Sequence, residues 1–237
     1  MKKHLVIGLG EVGSSLLWVL SKKLDATGID NGNFIDETFD FIHICLPYSK
    51  KFHTVVSAYK KQYLKKGGMC VIHSTVPVGT SRALKALHSP IRGIHPHLGA
   101  GMLTFTKYIG GAYAEKISQE FKKVRIPCKT TLKSETTEAL KLWDTTIYGW
   151  NIVLEKEIWD YCKKHKIDFD MVYTDANQSY NKGYEKLGKS QYKKYVLRHV
   201  TGPVGGHCVI PNCEILNSQS AKYILRQNKK NLKKKEK

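Results

Sequence analysis

Residues 4–18, HLVIGLGEVGSSLLW, join a short apolar run to a glycine-rich turn and then to a segment with helical spacing. Gly8, Gly10 and Gly13 have the spacing GxGxxG between the two apolar segments. The first glycine permits a tight turn, the second lets a ligand approach the backbone, and the third lets strand and helix pack closely. The lysines before this run resemble the start of a signal peptide, but glycines and Glu11 interrupt the apolar run. The stretch therefore predicts a strand, a turn and a helix.

Asp30 ends the second predicted strand, LDATGID at 24–30, at the distance from the glycine turn that dinucleotide-binding folds use. A carboxylate there accepts hydrogen bonds from ribose hydroxyls and repels a 2′-phosphate, which favours NAD over NADP. The phosphates would lie at the N-terminus of the first helix. The residues expected to bind the cofactor are Gly8, Gly10, Glu11, Val12, Gly13, Asp30, Leu46, Pro47 and Thr75.

Strands alternate with helices over the first half of the chain, which is typical of an α/β protein with a parallel sheet. Further strands are predicted at 24–30, 39–47, 69–75 and 91–96, and near 107–111 and 126–131. Only about eight residues separate Asp30 from Phe39, too few for a crossover helix and a strand. The sequence thus predicts a Rossmann-type domain over 1–131 whose sheet lacks one strand–helix unit.

Beyond residue 131 the pattern becomes helical, with apolar residues spaced by three and four. They are Leu140, Trp143, Ile147, Trp150, Leu154, Ile158 and Tyr161. This stripe predicts one long amphipathic helix over 134–165, of a length that suits packing against a second subunit in a homodimer. Shorter helices are predicted near 168–178 and 212–228. The second domain is thus an all-helical one over 132–228, and the lysine-rich segment 229–237 is predicted to be a disordered tail.

Composition sets limits on the class of protein. Apolar residues make up 41% of the chain, enough for a core, and no apolar run approaches the 18 residues of a membrane span. Six cysteines include no CxxC pair, so we expect a reducing, cytoplasmic location without disulfides or a bound metal. The net charge of +19 favours small anionic partners. No nucleic-acid-binding motif accompanies the charge, so nucleic acid is not the expected partner.

Three further motifs follow the glycine turn and Asp30 in order: STVPVGT at 74–80, TEALKL at 137–142 and GPVGGHC at 202–208. With them the sequence resembles the UDP-glucose/GDP-mannose dehydrogenase family, a branch of the 6-phosphogluconate-dehydrogenase-like superfamily. The segment GIHPHLGAG at 93–101 is more similar to the prephenate dehydrogenase branch. A prephenate- or hydroxyacid-dehydrogenase-like enzyme therefore stays open as an alternative.

The resemblance implies an enzyme that oxidises the primary alcohol of a sugar nucleotide to a carboxylate with two NAD molecules. It implies that Cys208 attacks the intermediate aldehyde and that Lys141 stabilises the developing alkoxide. Gly205, Gly206 and His207 would contact the substrate. The residue types suit these roles, because a thiolate is a strong nucleophile and glycines leave backbone N–H groups open to an oxyanion.

Several positions depart from the family pattern. Thr145 replaces an asparagine one helical turn after the catalytic lysine, and Asn212 replaces an aspartate that assists the hydrolytic water. His97 occupies the position of a glutamate and could act as a base near neutral pH. Only residues 209–237 follow Cys208, whereas the family continues into a third domain that holds the nucleotide of the substrate. These departures leave a second hypothesis: a catalytically weak NAD-binding protein with a regulatory or assembly role.

Overall fold

The computed structural model describes residues 1–30, 32–93, 96–206 and 208–235. The chain divides into two compact units, Met1–Lys141 and Leu142–Lys237. The first unit contains a sheet with helices, and the second is helical. This agrees with the predicted fold class, an α/β domain followed by an all-helical one. The boundary predicted at residue 131 lies in the first unit, ten residues before the end of that unit at Lys141.

The sheet of the first unit has seven strands in the order β2-β1-β3-β4-β5-β6-β7. The strands are β1 (Lys3–Ile7), β2 (Asp25–Ile29), β3 (Phe39–Ile44), β4 (Leu64–Ile72), β5 (Leu87–His88), β6 (Lys107–Gly110) and β7 (Cys128–Thr131). All neighbouring pairs are parallel except β5 and β6, which are antiparallel. The helices of this unit are α1 (Glu11–Leu20), α2 (Phe52–Tyr63), α3 (Thr80–Ala83), α4 (Leu98–Thr104) and α5 (Ala114–Lys123).

The central strands β1 and β3, and the last three residues of β4, are buried on both faces, which explains why these stretches are mostly apolar. Successive side chains of a strand point to opposite faces, so each central strand contributes to two cores. One core contains Val6 of β1 and Val71 of β4. The other contains Leu5 and Ile72 of the same strands, together with Phe52 of α2. Helices cover the sheet because each face needs its own apolar partner.

Strand β2 lies at the edge of the sheet, and the described residues between β2 and β3 form no helix. The prediction that one strand–helix unit is missing is therefore confirmed. The strand predicted at 91–96 is wrong over 91–93, and Ile94 and His95 lie outside the described residues. The ladder ends earlier: the Ser89 N–H still bonds the Ile72 carbonyl at 2.8 Å, and Pro90 then has no N–H to donate.

The long helix α6 spans Ser134–His165, as predicted, and its residues from 142 onward belong to the second unit. After it come a π-helical turn (Asp170–Asp175), α7 (Ala176–Lys186), a 3₁₀ turn (Ser190–Tyr192), α8 (Val209–Leu216) and α9 (Gln219–Lys235). The single helix predicted near 212–228 is two helices, because Asn217 between them has a left-handed backbone with φ 50°.

Residues 229–235, the larger part of the segment predicted as a disordered tail, continue α9 in the structure. Lysine and leucine have high helix propensity, so the basic segment does not by itself end a helix. The side chain of Asn228 also fixes α9 to the preceding loop, because its Oδ1 accepts a hydrogen bond of 2.6 Å from the Val204 N–H. Glu236 and Lys237 lie outside the described residues.

The predicted apolar stripe of α6 is largely exposed in the single chain. Ile147 is 56% exposed, and Trp150 and Tyr161 are also on the surface. The buried face of the helix lies beside the stripe and includes Leu142 and Val153. The described part of the chain includes no helix that combines the length and the apolar character of a membrane span.

The core of the second unit depends on a close approach of α6 and α8 at Gly149. A Cβ atom added to Gly149 would lie 2.4 Å from Cγ1 of Val209, well inside van der Waals contact. Val209 in turn packs with Val153, Cys213 and other buried residues of the cluster. The start of α8, where Cys208 lies, is thereby set against α6.

We expect Gly149→Ala to lower the free energy of unfolding by about 1–3 kcal/mol, the usual cost of overpacking a core. The matched control is Gly183→Ala in α7, where an added Cβ has no neighbour within 4 Å. That change should stabilise the protein by about 0.5–1 kcal/mol, since alanine is favoured over glycine within a helix. Urea denaturation measures both values. Equal effects of the two substitutions would contradict the packing argument.

Candidate active site

The glycine turn has the geometry of a dinucleotide-binding loop. Gly8 has φ 90°, and its N–H bonds the Ile29 carbonyl of β2 at 2.9 Å. A Cβ atom on Gly13 would lie 1.8 Å from the Gly8 carbonyl oxygen, so only glycine fits there. Gly10, the N-cap of α1, is exposed, and an added Cβ would have no neighbour within 4 Å. The turn therefore leaves open the position where a pyrophosphate would approach the helix N-terminus.

The other residues predicted to bind the cofactor lie at the same edge of the sheet, because parallel strands end on one side. Asp30 is exposed directly after β2. Leu46 and Pro47 follow β3, and Thr75 follows β4. Strand β1 lies between β2 and β3, so the chain connections diverge beside it. Such a switch point is where open α/β sheets bind their ligands.

Glu11 and Val12 are in the first turn of α1, beside this edge. Glu11 is exposed and Val12 is half-buried. The structure thus groups the predicted cofactor residues along the carboxyl ends of β1, β2, β3 and β4, and these residues could hold a dinucleotide.

Glu138 joins two of the sequence motifs and was not predicted as a site residue. Its buried carboxylate accepts hydrogen bonds from the backbone N–H groups of Gly79, at 2.6 Å, and Ser81, at 2.7 Å. These N–H groups are at the start of α3, in and just after the STVPVGT segment. Charge-assisted hydrogen bonds to backbone groups are among the stronger ones. Glu138 therefore fixes the loop after β4 to the start of α6.

Two lysines hydrogen-bond to consecutive backbone carbonyls after β5. Lys141, the predicted catalytic lysine, is half-buried and donates to the Ile91 carbonyl at 2.9 Å. Lys107 is buried at the start of β6 and donates to the carbonyls of Ser89, at 3.1 Å, and Pro90, at 3.4 Å. Burial lowers the pKa of Lys107 to about 7. Sequence reasoning missed Lys107, since a lysine in a short strand gives no sign of its burial.

His97, the predicted replacement for a catalytic glutamate, is the exposed N-cap residue of α4. Its side chain makes no capping hydrogen bond. Its backbone carbonyl accepts a hydrogen bond of 3.0 Å from the Gly101 N–H. His97 is thus placed by the start of α4, and its imidazole is accessible to solvent.

Cys208 is half-buried at the N-cap position of α8 in the second unit. Gly205 and Gly206 are exposed, and an added Cβ at either would have no neighbour within 4 Å. Gly206 has φ 79°, so the loop turns sharply just before the helix. His207 lies outside the described residues. The N–H groups at a helix N-terminus interact favourably with negative charge on a nearby thiolate or oxyanion.

Thr145 and Asn212, the two departures from the family pattern in this unit, contact each other. The Nδ2 group of the buried Asn212 donates to Oγ1 of Thr145 at 3.0 Å. The Thr145 hydroxyl donates in turn to the Leu142 carbonyl at 3.1 Å. The Asn212 N–H bonds the Cys208 carbonyl at 3.1 Å, which links the pair to the cysteine loop. The two substitutions therefore act as one hydrogen-bonded unit.

A row of three histidines crosses one face of the sheet in the first unit. Nδ1 of His4 lies 3.1 Å from Nε2 of His43, and Nδ1 of His43 lies 3.0 Å from Nε2 of His73. All three side chains are buried, and neighbouring rings stack with centroids 5.4 and 5.2 Å apart. The sequence carries a signal for them, since each is an isolated histidine in or just after an apolar strand, but it does not show that they meet.

No family model and no curated protein matches the sequence. Among solved structures, a UDP-D-ManNAc dehydrogenase from Pyrococcus horikoshii has a TM-score of 0.77 at 15% identity, covering 95% of this chain and 68% of its own. The chain has a Rossmann-type dehydrogenase fold.

Two more solved structures of dehydrogenases are similar to this chain in fold. A UDP-glucose dehydrogenase from Pyrobaculum islandicum has a TM-score of 0.70 at 16% identity, covering 97% of this chain and 68% of its own. A 3-hydroxyisobutyrate dehydrogenase from Mycobacterium tuberculosis has a TM-score of 0.71 at 13% identity, covering 95% of this chain and 92% of its own. The chain thus spans about two thirds of the sugar-nucleotide dehydrogenases and nearly all of the hydroxyacid dehydrogenase.

The buried histidines should make the dehydrogenase fold sensitive to acid. Burial lowers the pKa of His4 and of His88 to about 4. An unfolded histidine binds a proton near pH 6.5, so between pH 6.5 and 4 the unfolded chain holds more protons than the folded one. The free energy of unfolding should therefore fall as the pH falls through this window, by about 3 kcal/mol for each of the two histidines.

Urea denaturation at several pH values measures this loss. His88→Asn should make the stability less dependent on pH, because one titrating group is removed. His53→Gln, at an exposed position of α2, is the control substitution. A stability that stays constant from pH 6.5 to 4 would show that the imidazoles are not held neutral by burial.

Proposed function

We propose that the protein is an NAD-dependent oxidoreductase that acts on an alcohol or aldehyde of a sugar-nucleotide-like or other anionic substrate. The observation that carries this proposal is the glycine turn at the switch point of the sheet: Gly8 has a positive φ, Gly10 leaves open space, and Gly13 lets α1 approach the Gly8 carbonyl. The fold shared with UDP-sugar dehydrogenases supports it. Asp30, exposed after β2, favours NAD over NADP.

The cofactor proposal predicts that Gly10→Ala weakens NAD binding without unfolding the protein. The methyl group would occupy the open position where the pyrophosphate approaches, and an added Cβ there contacts no protein atom within 4 Å. We expect at least a tenfold rise in Kd by calorimetry, about 1.4 kcal/mol, with an unchanged Tm. Gly183→Ala, in similarly open surroundings on α7, should bind NAD as the parent does. Absence of NAD binding by the parent chain would refute the proposal.

For the chemistry we propose that Cys208 is the nucleophile, as the family resemblance implies. Its Sγ adds to the carbon of a substrate aldehyde and forms a thiohemiacetal, whose oxyanion the N–H groups of the Gly205–Gly206 turn could stabilise. NAD, when bound, accepts the hydride. Loss of that hydride converts the thiohemiacetal into a thioester on Cys208, and water then releases the carboxylate and restores the thiol. Lys141 would stabilise the alkoxide of the first oxidation.

The hydrogen bond between Asn212 and Thr145 bears on the last step. An amide cannot accept the proton of the attacking water, so general-base assistance from position 212 is absent. We therefore propose that thioester hydrolysis is the slow step of the second oxidation. His97, with its exposed imidazole, is the proposed replacement base for the other carboxylate that the family uses.

We expect Cys208→Ser to abolish carboxylate formation while NAD binds as before, since a hydroxyl is a far weaker nucleophile than a thiolate. Asn212→Asp should speed the steady-state rate by restoring a base, with an increase of about tenfold or more. NADH appearance and mass spectrometry of trapped adducts report the two effects. Cys128→Ser, a half-buried thiol in the first unit, is the control. Unchanged turnover in Cys208→Ser would remove the thiol from the mechanism.

A hydroxyacid is the alternative substrate class, and a specific observation favours it. The chain covers 92% of the 3-hydroxyisobutyrate dehydrogenase structure but only 68% of the UDP-ManNAc dehydrogenase. A panel with both sugar nucleotides and 2- and 3-hydroxy acids separates the two classes by NADH appearance. NAD binding without turnover on any of them would instead support the catalytically weak regulatory or assembly protein.

The exposed apolar side chains of α6 support a homodimer. Ile147, Trp150 and Tyr161 would leave the solvent if a second copy packed against this helix. Exposed apolar patches of this kind usually mark an interaction surface. We propose that the helix over 134–165 forms the subunit interface, and that the protein works in the cytoplasm, where thiols such as Cys70 and Cys213 stay reduced.

A further inference from the structure

The histidine row runs diagonally across the sheet, from its amino edge to its carboxyl edge. His4 is the second residue of β1, His43 pairs in register with Val6, and His73 follows the end of β4. The three side chains share one face, because Val6, Phe41 and Val71 of the same parity line a single core. Phe121 of α5 packs over the rings of His43 and His73 and shields them from water.

Each end of the row meets a group that can exchange a proton. At the carboxyl edge, Nδ1 of His73 lies 2.6 Å from the Ser89 carbonyl oxygen and 3.3 Å from Nζ of Lys107. At the amino edge, Nε2 of His4 lies 3.8 Å from a carboxylate oxygen of Glu120 and has no hydrogen-bond partner. Glu120 contacts the ammonium groups of the more exposed Lys2 and Lys123.

A neutral imidazole carries one proton, so the row can be hydrogen-bonded in two directions. In the first, every Nδ1 carries the proton, His73 donates to the Ser89 carbonyl, and Nε2 of His4 is a bare acceptor. In the second, every Nε2 carries the proton, His4 donates toward Glu120, and Nδ1 of His73 accepts from Lys107. The 2.6 Å distance between His73 and Ser89 and the unpartnered Nε2 of His4 correspond to the first direction.

The second direction matches a protonated Lys107. An ammonium group has three N–H donors. Three acceptors surround Nζ of Lys107: Nδ1 of His73 at 3.3 Å and the carbonyls of Ser89 at 3.1 Å and Pro90 at 3.4 Å. A neutral Lys107 needs no acceptor at His73, and His73 can then donate to Ser89. The protonation of Lys107 and the direction of the row are therefore linked.

We propose that the row His4–His43–His73 is a proton conduit between Glu120 and the buried amine of Lys107. A proton arriving from the Glu120 side binds Nε2 of His4, and His4 passes its Nδ1 proton to His43. His43 then passes its Nδ1 proton to His73, and His73 passes its own to Nζ of Lys107. One proton enters and one reaches the lysine, each imidazole ends neutral as the other tautomer, and the reverse sequence restores the start.

Burial, together with the surrounding charges, decides whether an added proton stays on an imidazole of the row. Glu120, Lys2, Lys123 and Asp40 act on His4, and Lys107 and His88 act on His73. Burial lowers the pKa of all three imidazoles, so none of them stores the proton.

Burial also lowers the pKa of Lys107 to about 7. The thiols of Cys45 and Cys128 oppose this shift, and the charge of Lys141 adds to it. The hydrogen bonds along the row should therefore reverse their direction near neutral pH, where Lys107 gains or loses its proton.

The conduit ends beside the lysine proposed for catalysis. Lys107 and Lys141 bond the consecutive carbonyls of Pro90 and Ile91, and their charges repel. A proton on Lys107 thus opposes the positive charge of Lys141, and its loss through the row relieves that repulsion. The conduit itself does not depend on the proposed oxidoreductase function, because it needs only the first unit's own residues.

Nitrogen-15 NMR of the full chain between pH 5.5 and 9 tests the proposal, since the shifts of Nδ1 and Nε2 distinguish both tautomers from the cation. The three imidazoles should change together from Nδ1–H at high pH to Nε2–H at low pH, at the midpoint of the Lys107 side chain. His88 is the internal reference, because its Nε2 lies 3.1 Å from the Ser74 carbonyl, which fixes its tautomer.

Lys107→Met removes the proton acceptor with a side chain of similar length that suits a buried site. In this variant the three imidazoles should stay in the Nδ1–H form down to pH 5.5. The proposal is overturned if the rings become cations, change at separate midpoints, keep one tautomer while Lys107 titrates, or still change together in Lys107→Met.

Discussion

The close approach of Gly13 to the Gly8 carbonyl is the contact on which the rest of the first unit depends. An added Cβ would lie 1.8 Å from that oxygen, so no other residue lets α1 begin so near the end of β1. This approach directs the N-terminus of α1 to the carboxyl edge of the sheet, beside the ends of β2 and β3. Backbone atoms, and not side chains, set the distance between α1 and β1 at this point. The shape of the candidate cofactor site therefore follows from the fold itself and does not depend on its polar side chains.

Local pattern and spacing predicted much of this fold. The spacing of α6 gave its bounds at 134 and 165, and the eight residues after Asp30 showed that the sheet is trimmed. The prediction of a strand at 91–96 was wrong because the apolar pattern of the segment does not show that Pro90 ends the hydrogen-bond ladder. Of the candidate site, local pattern predicted the glycine turn and the residues that follow β2, β3 and β4. Glu138 reaches back 57 and 59 residues to its partners, and no pattern along the chain encodes such a contact.

The contacts among the buried polar groups are a second feature that local sequence pattern does not predict. Three histidines and Lys107 lie in an apolar core, where an unpaired polar group is costly. The alternation of each strand shows that His4, His43 and His73 point into the sheet's faces, but only the strand order makes them neighbours. Each histidine of the row hydrogen-bonds to the next, and the unpaired nitrogen, Nε2 of His4, lies at one end of the row. A core arranged in this way tolerates polarity because its hydrogen bonds form one chain.

The pair of Thr145 and Asn212 changes how its two substitutions should be understood. Taken singly, each loses a functional group that the family resemblance implies. Together they keep a hydrogen bond, but its direction is fixed: the Asn212 amide donates to Thr145, whose hydroxyl already donates to the Leu142 carbonyl. An aspartate at 212 would have to accept from that hydroxyl, which would then leave the Leu142 carbonyl. The present pair is thus structurally complete without a base. In the proposed mechanism, hydrolysis of an adduct on Cys208 would therefore rely on unassisted water or on another group.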